Sequence, residues 1–144
     1  MKEELEVEID LVAKWIKSQV KLLGREKVIL ELDYTEPNSL ATIALCVKAL
    51  GKENVNCISF KSSNIDLKDI DKTASSLKIE GLTHIDLFKL TGAFASTGVG
   101  DNYLQKRLKS VILNTLGNIN AYAVVGNLNK TLHSPGAFVK HADN

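Results

Sequence analysis

The sequence predicts a three-layer α/β/α sandwich around a parallel sheet of about four or five strands. Two observations predict it. Short β-rich runs alternate with segments whose apolar residues recur every three or four positions, the pattern of βαβ units. The chain has 144 residues, 44% of them hydrophobic, which suits one domain with a substantial core and leaves no room for two.

Leu5, Ile9, Val12, Ile16, Val20 and Leu23 form one stripe of a first helix over about Glu3–Leu23, which Gly24 should stop. Trp15 on that helix reads as a packing residue. Val28-Ile29-Leu30-Glu31-Leu32 is the first strand, and Asp33–Asn38, with Pro37, is a loop. Ser39 then serves as N-cap of a second helix with Leu40, Ile43, Ala44, Val47 and Leu50 inward and Gly51 at its end. Val55–Phe60 is the second strand. Leu67, Ile70, Ala74 and Leu77 form the stripe of a third helix, and Thr83–Leu87 is the third strand. Phe88–Gly100, rich in Gly, Ala, Ser and Thr, is expected to be a mobile loop. Asn102–Leu116 is a helix ended by Gly117, and Ala121–Val125 is the fourth strand. Right-handed crossovers then give a Rossmann-like, doubly wound sheet.

Composition narrows the function. Eighteen Lys+Arg against seventeen Asp+Glu give a net charge of +1, without the basic excess of a nucleic-acid binder. No apolar run is long enough to span a membrane, and the acidic start Met1-Lys2-Glu3-Glu4 lacks a signal-peptide core. Cys46 and Cys57 sit in apolar runs without metal-ligand spacing and read as free thiols in a reducing, cytoplasmic compartment. The charge is unevenly spread: residues 1–86 hold 15 acidic and 12 basic side chains, while residues 87–144 hold two acidic and six basic ones.

Ligands of such a sheet bind beyond the carboxyl ends of its strands. That places candidates in Asp33–Ser39, in Ser59–Ser62 and in Gly126–Thr131. The first loop precedes a helix N-terminus, which favours anions. Its residues do not: Asp33 and Glu36 repel phosphate, and Pro37 removes a donor. His84, His133 and His141 lack spaced partners. No Ser-His-Asp or Cys-His arrangement is present, so no catalytic residue is assigned.

The block Trp15–Val55, with Ser39-Leu-Ala-Thr-Ile-Ala-Leu-Cys-Val-Lys-Ala-Leu-Gly-Lys-Glu-Asn-Val55, resembles the first βαβ unit of the ammonia-dependent NAD synthetases. A second block, Gln105-Lys-Arg107-Leu-Lys109, is similar to that family's Gln-Ala-Arg-x-Arg helix. It continues through Tyr122, Gly126, Asn129-Lys130, Gly136, Phe138, Lys140 and Asp143. The resemblance implies the adenine-nucleotide α-hydrolase-like fold of the N-type ATP pyrophosphatases and a homodimer. It implies ATP, NAD or deamido-NAD as ligands. Ser39, Asn38, Ser59, Asn127, Asn129 and Lys130 become nucleotide-binding candidates. Arg107, Lys109, Lys140 and Asp143 become substrate-side candidates. A solvated-surface role is the simpler reading of Lys109 and Lys140.

The departures from the family pattern are chemical. Its Ser-Gly-Gly-x-Asp-Ser loop falls on Tyr34-Thr35-Glu36-Pro37-Asn38-Ser39, so both glycines and the aspartate are replaced. The family's threonine falls on Asn127, its second glycine on Leu128 and its magnesium-binding glutamate on Leu132. A hard cation requires charged oxygen ligands, so magnesium binding is disfavoured and no metal ligand is assigned. The family also continues past Asp143 with a further lobe. These departures lead to the expectation of a catalytically degenerate homologue, with a binding or regulatory role or an active NAD synthetase as partner. A divergent minimal synthetase and an interaction protein that binds no nucleotide are the alternatives.

Overall fold

The structure is a computed structural model that describes residues 2–61, 66–94, 97–98 and 102–126. Its elements in order are α1 (Lys2–Leu22), β1 (Val28–Glu31), α2 (Pro37–Leu50), a 3₁₀ turn (Lys52–Asn54), β2 (Val55–Lys61), α3 (Leu67–Ser76), β3 (Gly81–Asp86), α4 (Leu87–Gly92), α5 (Asn102–Asn120) and β4 (Ala123–Val124). The four strands form one parallel sheet in the order β3-β2-β1-β4. Val28 pairs with both Val55 and Ala123, which fixes the register of the central strands.

The two-residue alternation of β1 and β2 divides the core between two helical layers. Val28, Leu30, Leu32, Val55 and Cys57 face one way and pack with Val20, Ile43, Cys46, Ile70 and Ala74 from α1, α2 and α3. Ile29, Ile58 and Phe60 face the other way, against Leu87 of α4 and Leu113 of α5. The sheet is therefore covered on both faces, as a parallel sheet requires.

Most element expectations hold, and the differences have local causes. Gly24 ends α1 at φ +66°, and Gly51 ends α2 at φ +87°. Ser39 is not the N-cap of α2. The cap position falls three residues earlier, on Glu36, with Pro37 in the first turn, where proline's fixed φ suits a helix start. Part of the segment expected to be a loop is helix α4. Asp86 caps it by accepting from the Lys89 N–H at 3.0 Å, and Leu87 anchors it in the core. Gly117 does not end α5, which runs on to Asn120. A Cβ at Gly117 would lie 2.7 Å from Val124 Cγ2, so this glycine permits close packing of α5 on β4. Trp15, expected to be a packing residue, is 62% exposed and lies outside the core.

Candidate functional site

The strand order reverses at β1: the chain builds β1, β2 and β3 outward, then returns through α5 to place β4 on the other side. The carboxyl end of β1 is thus the topological switch point, where such sheets open a crevice. Glu31 stands at that end. It follows Ile29 on the face toward α5, so an acid occupies an inward position of an otherwise apolar strand.

Its partner comes from α5. Lys109 Nζ donates to Glu31 Oε1 at 2.5 Å and lies 5.5 Å from the centroid of the Phe60 ring. The pair is partly buried, with Glu31 20% and Lys109 27% exposed. Burial pushes the Glu31 carboxyl above the usual carboxylate range, and the nearby Lys109 ammonium opposes that shift without cancelling it. Gln105, one turn before Lys109, lines the same cleft, together with Asp33, Tyr34, Phe60 and Leu87. The cleft's volume is about 90 Å³, room for a few non-hydrogen atoms and well below the roughly 300 Å³ of ordinary ligand pockets.

The loop between β1 and α2 is closed by its own hydrogen bonds. Asp33 Oδ1 accepts from the Thr35 N–H at 3.0 Å and from the Thr35 hydroxyl at 2.6 Å. The Asp33 carbonyl accepts from the Glu36 N–H at 3.2 Å. Ser39 is fully buried: its hydroxyl accepts from the Asp33 N–H at 3.0 Å and donates to the Glu31 carbonyl at 2.9 Å. Ser39 therefore ties the loop to the strand from beneath. Asn38 is half-buried at the start of α2, and its carbonyl accepts from the Thr42 hydroxyl.

The remaining candidates separate. Ser59 is buried on β2, and its hydroxyl has no hydrogen-bond partner among the described residues. Arg107 is exposed on α5. It is two residues from Lys109, roughly 200° around the helix, so the two cations point to different sides. Asn127, Asn129, Lys130, Lys140 and Asp143 lie outside the described residues. Sequence reasoning missed Glu31; the signal available was an acid inside the run Val28–Leu32.

Among the described residues, the acids of the cleft do not fit magnesium. Glu31 is held by Lys109, and Asp33 is occupied by Thr35. Among the described residues no three His, Cys, Asp or Glu side chains converge. No described helix is long and apolar enough to cross a membrane.

Comparison with known proteins gives this geometry a family. The chain is 27% identical over 152 residues to the NH(3)-dependent NAD(+) synthetase of Methanocaldococcus jannaschii (strain ATCC 43067 / DSM 2661 / JAL-1 / JCM 10045 / NBRC 100440), covering 98% of this chain and 58% of that one. It superposes on the NH3-dependent NAD synthetase from Campylobacter jejuni subsp. jejuni NCTC 11168, solved with the nitrate ion, with a TM-score of 0.83 at 20% identity, over 94% of this chain and 61% of that one. The NMN synthetase from Francisella tularensis gives a TM-score of 0.79 at 20% identity, over 94% and 59%. The structural likenesses establish the fold as the adenine-nucleotide α-hydrolase-like type, and the chain spans about three-fifths of the length of these relatives. Residues 8–144 match the NAD synthase model, and the chain belongs to the NAD synthase family.

Proposed function

We propose that this chain is an NAD-synthase-like protein without synthetase activity, serving in a binding, regulatory or partner role. The observation that carries this reading is the carboxylate of Glu31 at the carboxyl end of β1, already joined to the Lys109 cation. Adenylyl transfer develops negative charge on phosphate, and catalysis comes from donors and cations aimed at that charge. Here Glu31, Asp33 and Glu36 place negative charge around the loop. The Thr35 and Glu36 N–H groups are turned inward to Asp33, and Pro37 has no N–H to give. Lys109, the cation in the cleft, is neutralised before any ligand arrives. A triphosphate entering here would meet repulsion where the reaction needs stabilisation.

The family's reaction, ATP-dependent amidation of deamido-NAD, is the one to test. Purified chain incubated with ATP, magnesium, ammonia and deamido-NAD is expected to yield no NAD above a protein-free blank. NAD formation above that blank overturns the proposal. A thermal-shift screen with ATP, AMP, NAD and deamido-NAD, each with and without magnesium, separates the roles. A binding role predicts a rise in melting temperature with a dinucleotide, independent of magnesium, because ligand bound only to the native state stabilises it. No shift with any nucleotide favours a purely protein-directed role.

A further inference from the structure

We propose that Glu31 is a gate: its carboxylate holds Lys109 in the place of an external oxyanion. Loss of that charge, by protonation or by substitution, turns the cleft at the end of β1 into a site for one tetrahedral oxyanion. The gate rests on the same ion pair that carries the proposed function, and it names what controls that pair. Lys109 is drawn inward. Its Nζ donates to Glu31 Oε1 and lies 5.5 Å from the centroid of the Phe60 ring, and the side chain is only 27% exposed. Among the described residues Glu31 is the one anionic partner within reach of that ammonium. Removing one member of such a pair leaves the other as an uncompensated, partly desolvated charge. An ammonium in that state takes up an anion from solution when the space beside it allows.

The cleft of about 90 Å³ has room for a single sulfate- or phosphate-sized group and not for a chain of them. Gln105 stands one turn before Lys109 on α5 and lines the same cleft, so an amide and an ammonium lie side by side as donors. A protonated Glu31 adds an O–H donor. The charges that act on Glu31 are few. Lys109 reaches it from α5, and Asp33 and Glu36 act from the loop before α2. Tyr34 lines the loop side, while Phe60 of β2, Ile70 of α3 and Leu87 of α4 line the cleft without charge. Asp33 Oδ1 is engaged by Thr35, yet Asp33 and Glu36 keep the rim acidic. The opened site should therefore be weak, with a dissociation constant on the order of 1 mM. Burial, the largest influence, raises the Glu31 carboxyl above its ordinary value, so the gate opens at a higher pH than an exposed glutamate would allow. Below the raised value Lys109 is released; above it the pair is closed.

The test is sulfate binding to the full chain, read by nuclear magnetic resonance on the Gln105 side-chain amide, at constant ionic strength set with chloride. Sulfate keeps its double charge throughout the pH range used, so a pH dependence belongs to the protein. At neutral pH, Glu31→Gln should bind sulfate about tenfold or more tighter than wild type, because a repelling carboxylate is gone and Lys109 is released. The double variant Glu31→Gln, Lys109→Met should bind no better than wild type. In wild type the affinity should rise as pH falls through the Glu31 titration, and that rise should be much smaller in Glu31→Gln. If Glu31→Gln does not fold, the wild-type pH series run beside Lys109→Met still decides. Equal sulfate affinity of wild type and folded Glu31→Gln overturns the gate. So does a gain that survives Lys109→Met, or a wild-type affinity that stays flat across the Glu31 titration. NAD formation by the wild-type chain would overturn the proposed function and not the gate, which the sulfate series decides alone.

Discussion

Toward α1, α2 and α3 the central strands present Val28, Leu30, Leu32, Val55 and Cys57, all buried. Toward α4 and α5 they present Ile29, Ile58 and Phe60, and then, at the carboxyl end of β1, Glu31. The first face is apolar along the whole of β1, and Leu32, the residue just past its end, is still buried. The second face runs out into an ion pair and a cleft. The difference teaches how one sheet separates its tasks. The larger apolar layer holds the sheet together, which lets the opposite layer end in a buried acid and a cation. The largest expected effect follows directly. Ile43, fully buried between α2 and the first face, should cost about 2–5 kcal/mol when truncated to Ala, the range for a large aliphatic side chain deleted from a packed core. Leu113→Ala on the second face, where the cluster is smaller, should fall toward the lower end of that range. Urea denaturation of both variants measures the gap, and a larger loss at Leu113 would invert the assignment.

The second face is also where α5 approaches most closely. Gly117→Ala introduces a methyl 2.7 Å from Val124 Cγ2 and 3.3 Å from the Tyr122 carbonyl. Alanine is the better helix former, yet overpacking should win, with a loss of about 1–3 kcal/mol. A stabilised variant would mean that β4 yields to α5 freely.

A smaller loss is expected at the ion pair itself. Lys109→Met keeps most of the stem that covers Phe60 but leaves Glu31 without its cation. The pair is partly exposed, so the cost should lie between the surface and buried limits, about 1–3 kcal/mol by equilibrium unfolding at neutral pH. No change would make Lys109 a solvated surface charge, the simpler reading its sequence invites.

These sites also mark how far the sequence could be read. Among the described residues, period and punctuation located four of the five α-helices and all four strands, because each buries a stripe long enough to repeat. Helix α4 was hidden: six residues carry too little periodicity, and the glycines and small residues after Phe88 read as loop chemistry. Gly117 looks like punctuation in the sequence, because a sequence does not show what a glycine packs against. Lys109 was legible only through a family resemblance. Glu31 stood in plain view, but an acid in an apolar strand gains meaning only when the partner 78 positions away is known. Trp15 in isolation suggests a packing residue, although Val7, Leu11 and Leu22 share its exposed side of the helix.

The finest distinction between the two faces is titratable. Burial, the largest influence on Glu31, pushes its carboxyl above the usual 4.5, and Lys109 only partly offsets that. The folded chain therefore holds the Glu31 proton to higher pH than the unfolded chain. Between the ordinary value and the raised one, the folded state carries more bound protons, so stability falls as pH rises through that window. Glu31→Gln removes the titration and keeps the shape. The stability of wild type minus that of Glu31→Gln should decline with rising pH across the window and then level off, as read by urea unfolding at a series of pH values. A difference that grows with pH would mean that Lys109 outweighs burial and that the pair behaves as a stabilising salt bridge. In a Lys109→Met background the opposing cation is gone, so the same decline should run from the ordinary value up to a still higher folded pKa and span a wider range of pH. Cys46 and Cys57 on the apolar face, pushed by burial up to about 11 and about 12, supply the contrast: both thiols stay protonated across this whole range, so the pH response of the pair can be assigned to the second face alone.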